Sequence, residues 1–401
     1  MDQSLQNADG RVAGGESRQG ARFGSLKRYG FLLSWVPPLL LILSGRMAHV
    51  SGDGAWLWLL VVAAFIGIPV VDLVVGRDTS NPAPADEPSL KADHYYVRIM
   101  YGSVLLHWFA FVFMAWVVAT LDTSWFYLFG GMLSAGVSNG FSIVAGHEMG
   151  HKVTDARQSL AARVLLACSG FGQYTLHHNA DHHNWVATPL DHSSARMGES
   201  IYRFFPREVI GTIRSTWSLE KSRLARKGKS VWSVGNKTLQ SVLLTLVSYT
   251  ALIVWFGAIM IPYLAIASLF AWWLLSSASY VEHYGLLRQK DPDGNYESCK
   301  ARHAWNSDFL VSNLVMLQVQ RHSDHHLRPS VPYQVLQIDS SMPMLPQGYP
   351  SMFLLAIVPP LWFSVIDPML MKWAGNDLDK VNIGPENRQR LYAKYSSDKV
   401  K

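Results

Sequence analysis

LWLLVVAAFIGIPVV at residues 57–71 and ALIVWFGAIMIPYLAIASLFAWWLL at residues 251–275 decide the fold. In neither stretch do polar side chains recur at the 3.6-residue spacing that marks the solvent face of a helix in a soluble protein. About 20 predominantly apolar residues are needed to cross the roughly 30 Å hydrocarbon core of a bilayer. We therefore predict an all-α, polytopic membrane protein with six transmembrane helices. The predicted spans are residues 29–48, 55–75, 99–121, 125–145, 239–261 and 262–280.

The composition agrees with insertion into lipid and limits the chemistry. Of the 401 residues, 49% are hydrophobic and 16% are charged, against about 25% charged residues in soluble domains. The two cysteines, Cys168 and Cys299, cannot build a disulfide framework, an iron–sulfur centre or a cysteine-rich zinc module. Any metal must therefore be held by nitrogen or oxygen. The net charge of +6 is modest, and we predict no nucleic-acid partner.

Lysine and arginine are distributed unevenly among the connections. They crowd before the first span and between spans four and five, whereas three short connections on the other side carry only Arg46. The positive-inside rule then places both termini and the long connection in the cytoplasm. Residues 1–28 are rich in Gly, Ser and Arg and lack an apolar signal region, so we expect a disordered cytoplasmic tail before a membrane domain of residues 29–401. Residues 352–366 are apolar but short and broken by two prolines, which favours a re-entrant or interfacial element.

Nine of the 15 histidines fall into four motifs: HEMGH (147–151), HNADHH (178–183), EHYG (282–285) and HSDHH (322–326). Each motif follows an even number of spans, so all four face the same side. Helical residues at i, i+3 and i+4 lie within about 100° of arc, so HSDHH presents three imidazoles from one face. In HNADHH, the first two histidines share a face and the third turns toward a second ion. Nine nitrogen donors exceed the capacity of one six-coordinate ion, so we predict two metals. The candidate ligands are His147, His151, His178, His182, His183, His283, His322, His325 and His326.

Imidazole alone does not select the metal, because zinc, copper, iron and nickel all accept it. An intramembrane zinc protease would use HEMGH with Glu148 as the base, but seven clustered histidines would then have no role. A pair of redox-active irons explains all nine.

The motifs HEMGHK, HNADHH, SYVEHYGLLRQ and LQVQRHSDHH, in this order and with six spans, resemble the integral-membrane non-haem di-iron family, and its alkane 1-monooxygenases in particular. The resemblance extends from about Tyr29 to the stretch DPMLMKWAGNDLDK. It implies that two irons, held by the nine histidines in a cytoplasmic helical cap (segments 146–238 and 281–401), activate O2 in a bacterial inner membrane. One oxygen atom enters the terminal C–H bond of an n-alkane and the other becomes water. His177 departs from the pattern, because relatives usually carry an acidic residue there.

Five acidic residues lie close to the motifs in the sequence. We expect several of them to accept hydrogen bonds from the ring nitrogens that do not bind metal, which would fix the orientation of the rings. The alternative for each is a solvated surface acid. These residues are Glu148, Asp181, Asp191, Glu282 and Asp324.

An alkane has no polar group, so the shape of an apolar channel must select it. The resemblance suggests that span two limits chain length, and Ala64 and Phe65 are the candidate substrate-binding residues. Ala64 is small where a bulky ring would shorten the channel.

The reaction also needs two electrons that this chain cannot supply. Two isolated cysteines do not make a rubredoxin site, and no GxGxxG motif follows a predicted strand. The resemblance points to rubredoxin with its reductase as the donor. The basic run KSRLARKGK (221–229) is a candidate docking surface or a lipid-headgroup site. Fatty-acyl desaturation, hydroxylation of an aromatic methyl group, zinc proteolysis and metal transport remain the alternative functions.

Overall fold

The computed structural model describes residues 26–339 and 341–397. Within these ranges the chain is helical and β pairing is confined to isolated bridges, as predicted. Six of the described helices are long and apolar enough to cross a membrane, which confirms the six predicted spans; they are α1–α4, α7 and α8 in the numbering that follows. The described helices of six or more residues are α1 (Leu26–Ser51), α2 (Gly54–Val75), α3 (Glu87–Thr120), α4 (Trp125–Gly150), α5 (Ala156–Leu166), α6 (Ile201–Ala225), α7 (Lys237–Phe256), α8 (Met260–His283), α9 (Leu310–Val315), α10 (His322–Leu327), α11 (Tyr349–Ile357), α12 (Pro359–Trp373) and α13 (Pro385–Ser397).

The boundary between the last two spans differs from the prediction. Hydropathy placed it between residues 261 and 262, but α7 ends at Phe256 and α8 begins at Met260. Gly257 follows α7 with φ of 83°, a conformation that glycine adopts without strain. The apolar run continues through this turn, so hydropathy does not reveal the turn.

Residues 1–25 of the predicted tail lie outside the described residues. Residues 26–28, which were assigned to the same tail, already form the first turn of α1. Lys27 Nζ lies 2.6 Å from an Asp78 carboxylate oxygen. This ion pair anchors the turn, so α1 begins before the apolar stretch.

Helix α4 lies at the centre of the bundle. Within its span 72% of the residues are buried, compared with 17% in α2 and in α7. A Cβ atom at Gly136 would lie 2.8 Å from Phe270 Cβ and 3.0 Å from the Ala267 carbonyl oxygen of α8. Small residues allow membrane helices to approach this closely. The contact brings together the C-terminal ends of α4 and α8, which carry two of the histidine motifs.

The apolar segment 352–366 belongs to a helical hairpin. Helix α11 ends at Ile357, and α12 begins after Val358 with two consecutive prolines. Both helices are too short to count among the six candidate spans. That this segment is re-entrant or interfacial stays a prediction. Helix α11 packs against α8 and against part of α2, so the hairpin closes one side of the space below the histidines.

Candidate metal centre

Eight of the nine candidate ligands form two compact groups. In each group the possible ligand atoms lie within 4.8 Å of one another. Nitrogen ligands about 2.0–2.1 Å from an ion lie at most about 4.2 Å apart, so each group is close to the size of a ligand set. Cluster 1 contains His147, His151, His178 and His325. Cluster 2 contains His182, His283, His322 and His326.

The ninth candidate, His183, lies between the two clusters. Its Nε2 atom is 3.0 Å from Nε2 of His178 in cluster 1. Its ring centroid is 4.5 Å from that of His326 in cluster 2. The fold therefore brings all nine histidines together, although they come from four separate stretches of the chain.

The geometry within HNADHH differs from the predicted α-helix. Residues His178–His182 form a π-helical turn, in which hydrogen bonds join residue i to residue i+5. His178 therefore meets His183, whereas His182 turns into cluster 2. The rings of His178 and His182 lie 5.1 Å apart, as expected of residues that share a face, although they belong to different clusters.

The HSDHH motif is divided between the clusters. Helix α10 presents its three imidazoles inward, but His325 joins cluster 1 while His322 and His326 join cluster 2. Helix α10 therefore links the two clusters as a single rigid element.

Within each cluster the Nε2 atoms converge. His147 Nε2 lies 2.7 Å from His178 Nε2 in cluster 1, and His322 Nε2 lies 2.9 Å from His326 Nε2 in cluster 2. His325 Nε2 is buried without a hydrogen-bond partner, although buried polar atoms are normally paired. A metal ion in cluster 1 would satisfy this nitrogen, so the donor set fits the predicted metals.

Burial favours the neutral form of several of these imidazoles, which is the form that binds metal. It lowers the pKa of His178, His322 and His325 well below the ordinary value. It lowers the pKa of His183 to about 2, with the neighbouring histidines acting in the same direction.

The outer nitrogens of several rings have fixed partners. His178 Nδ1 lies 3.0 Å from the Tyr174 hydroxyl group, and His182 Nδ1 lies 2.9 Å from Asp191 Oδ2. His283 Nδ1 lies 3.3 Å from the carbonyl oxygen of His303. Partners of this kind fix the tautomer and orientation of a ligand ring. The tyrosine and the carbonyl were not predicted from the sequence. The four-residue spacing from Tyr174 to His178 is the one signal in the sequence for the tyrosine.

Asp191 is the acid that occupies the predicted position. Besides His182, it accepts hydrogen bonds from the Ser193 amide and the Ser194 hydroxyl group. Burial alone would raise its pKa, but His182 and the hydrogen bonds hold the pKa of Asp191 well below the ordinary value. Asp191 therefore remains a buried anion beside cluster 2.

The other four predicted acids make different contacts. Asp181 contacts His177 and Ser215, and Asp324 accepts two hydrogen bonds from Arg328. The remaining two acids also lie away from the outer nitrogens.

Glu148 is buried beside Lys152, at 3.8 Å. Glu282 Oε2 lies 3.4 Å from His322 Nε2, on the side of the ring that faces the cluster rather than behind it.

A narrow cavity of about 70 Å³ reaches both clusters. Ala64 and Phe65 of α2 form part of its wall, in a π-helical turn, Ala63–Gly67. Pro69 follows this turn and has no amide hydrogen with which to continue the helical ladder. The other apolar wall residues are Phe141, Ile143, Val144, Leu274, Leu275, Ala278, Met316, Val319, Pro350 and Phe353.

Comparisons with known proteins agree with this architecture. A family model described as "Fatty acid desaturase" matches residues 122–356, a range that contains all four histidine motifs. The chain is 41% identical to the alkane 1-monooxygenase of Pseudomonas putida over 92% of each protein. It is also 41% identical to alkane 1-monooxygenase 1 of Alcanivorax borkumensis, over 92% of this chain and 91% of that protein. With the xylene/toluene monooxygenase hydroxylase component of Pseudomonas putida it shares 29% identity over 57% of this chain and 60% of that protein.

Proposed function

This chain belongs to the alkane 1-monooxygenase family, and from that premise we propose that it hydroxylates n-alkanes at a terminal methyl group to give primary alcohols. The observation that carries this proposal is the apolar cavity that reaches both clusters of imidazoles. In the balanced reaction, one alkane, one O2, two electrons and two protons give one alcohol and one water.

The cavity supports a long apolar substrate. Its wall contains few polar groups apart from those next to the clusters. Phe65 of α2 and Phe353 of α11 contribute aromatic rings to this wall. An alkyl chain in this space would exclude water and point one of its ends toward the clusters. The shape of the cavity can select a substrate in this way even when the substrate has no polar group.

The nine histidines would hold two iron ions. Bound iron would supply the redox chemistry that activates O2. Imidazoles carry no charge to offset that of the ions. The nearest carboxyl groups are those of Asp191, behind His182, and Glu282, which faces His322. We propose that Asp191 orients the His182 ring and supplies negative charge beside cluster 2.

Rubredoxin is the proposed electron donor, with its reductase. Cys168 is buried and Cys299 lies apart from it in the chain, so these thiols do not form a site for electron transfer. Exposed Lys227 and Lys229 in the basic run 221–229 offer positive charge to an acidic partner. The positive-inside rule favours an inner-membrane protein whose termini and segments 146–238 and 281–401 face the cytoplasm.

The test uses the purified full-length protein in lipid vesicles, supplied with rubredoxin, its reductase and octane, dodecane or hexadecane. We expect primary alcohols, two irons per chain, and loss of product in His182→Ala. Secondary alcohols would contradict terminal hydroxylation, and one zinc per chain would contradict a di-iron enzyme. An unsaturated product from an acyl substrate would favour desaturation instead.

A further inference from the structure

Glu208 is a buried acid whose role the candidate metal centre leaves unexplained. It lies on α6 with 3% of its surface exposed, and no lysine or arginine pairs with it among the described residues. Glu220, on the same helix, is by contrast paired with Arg223 at 2.6 Å. The Oε2 atom of Glu208 has no hydrogen-bond partner. Burying a carboxyl group without a cation costs free energy, so the presence of Glu208 at this position calls for an explanation.

Hydroxyl groups surround this carboxyl group. Ser193, Ser276 and Ser279 all lie within hydrogen-bonding reach of it. Ser193 and Ser279 also line the cavity that reaches both histidine clusters, whereas Ser276 does not. Ser193 and Ser279 therefore each place one hydroxyl group between Glu208 and the cavity.

A series of hydrogen bonds leads from Ser193 toward the protein surface. The Ser193 hydroxyl group lies 3.3 Å from His177 Nε2, and His177 Nδ1 lies 3.1 Å from the Ser215 hydroxyl group. Ser215 in turn bonds Asp181, whose side chain is 24% exposed. An imidazole can donate at one nitrogen and accept at the other. Hydrogen bonds therefore connect Asp181 to Ser193, whose hydroxyl group faces Glu208.

We infer that Glu208 delivers to the cavity, through the hydroxyl groups of Ser193 and Ser279, the protons that hydroxylation consumes. This inference rests on the proposed function, in which the second oxygen atom of O2 takes two protons and, with two electrons from rubredoxin, leaves as water. Each serine hydroxyl donates its own hydrogen toward the cavity as it accepts one from Glu208, so only the carboxyl group changes. The chain through His177 then returns a proton from solvent to Glu208.

Burial of this carboxyl group favours its protonated form. Burial raises the pKa of Glu208, and the three serine hydroxyls and His177 act in the opposite direction. A neutral carboxylic acid is the form that can donate a proton. Glu208 does not reach the clusters itself, so it acts through the serines as a positioning residue rather than a catalytic one.

The decisive variant is Glu208→Gln, which keeps the size and neutrality of the side chain but removes the transferable proton. We expect alcohol formation to fall about a hundredfold, the lower end of what a positioned proton donor contributes. More O2 should be consumed per alcohol formed, and the iron content should be unchanged. Ser276→Ala is the matched control, since Ser276 touches the same carboxyl group but not the cavity, and it should keep wild-type coupling.

A second readout does not depend on turnover. The infrared difference spectrum of the resting wild type minus Glu208→Gln should contain the carbonyl band of one protonated carboxyl group. The difference taken with Ser276→Ala should lack that band. If Glu208→Gln does not fold, the Ser193→Ala/Ser279→Ala double variant should show the same loss of coupling while keeping the band.

Coupled turnover of Glu208→Gln or of the double serine variant within twofold of the wild type would overturn the inference. So would an infrared spectrum unchanged by Glu208→Gln. Failure of the proposed function would look different from failure of this inference, because the wild-type protein itself would then make no alcohol from any alkane.

Discussion

Nδ1 of His182 lies 2.9 Å from Oδ2 of Asp191, and elsewhere in the described chain no carboxylate holds the outer nitrogen of a candidate ligand. Asp191 is itself held by Ser193 and Ser194, so its position does not depend on a metal. Cluster 2 therefore has one ring whose orientation is fixed by a buried anion before any ion binds.

Asp191→Asn should weaken metal binding. The amide keeps the shape but removes the negative charge behind His182, and losing a partner of this kind typically costs 10–100-fold in affinity. Iron retained during dialysis against a graded series of chelator concentrations measures the effect. Asp181→Asn is the control, because Asp181 touches no candidate ligand ring and should retain iron as the wild type does. Equal loss of iron in the two variants would contradict a specific role for Asp191.

Ala64→Trp should shift the product profile toward shorter alkanes. Ala64 is buried in the cavity wall with 2% of its surface exposed, so an indole there would fill space that a long chain needs. Competition among octane, dodecane and hexadecane, followed by product analysis, gives the profile. Ile66, two residues away and 60% exposed, provides the control, and Ile66→Trp should leave the profile unchanged. An unaltered profile in Ala64→Trp would show that α2 does not limit chain length.

The ionised side chain of Glu297 should stabilise the folded protein, and this stabilisation should be lost in acid. Although burial opposes them, hydrogen bonds from Lys300 and Arg302 lower the pKa of Glu297 from 4.5 to about 2. Between these values the unfolded chain binds a proton that the folded chain does not, so stability rises with pH. The contribution of Glu297 is thus complete above about pH 4.5 and is lost as the pH falls toward 2.

Thermal unfolding of the wild type and Glu297→Gln across this range checks the prediction. The wild type should unfold at the higher temperature near neutral pH, and the two midpoints should converge as the pH falls. A constant difference between the midpoints at all pH values would contradict the argument.

The spans and the grouping of the histidines were predictable because both depend on local patterns. Apolar length determines a span, and an even number of spans between motifs puts His147 and His283 on the same side. The division of HSDHH between two clusters was not predictable, since it depends on where α10 sits relative to the π-helical turn at His178. The contact of the His303 carbonyl oxygen with His283 could not be predicted either, because every residue has a carbonyl group and only tertiary packing decides which one meets the ring.

Close packing of α4 against α8 should control whether cluster 2 forms. A Cβ atom at Gly136 would lie 3.0 Å from the Ala267 backbone carbonyl, which cannot move aside as a flexible side chain can. Gly136→Ala should therefore push α8 away and shift His283 from its cluster, with an overpacking cost of about 1–3 kcal/mol. The expected results are a lower thermal midpoint and fewer than two irons per chain. Gly67→Ala is the matched control, because its nearest neighbour lies 3.9 Å away and the added methyl group fits. If Gly136→Ala kept a wild-type iron content and midpoint, the ends of α4 and α8 would be held together by the histidine clusters rather than by the helix contact.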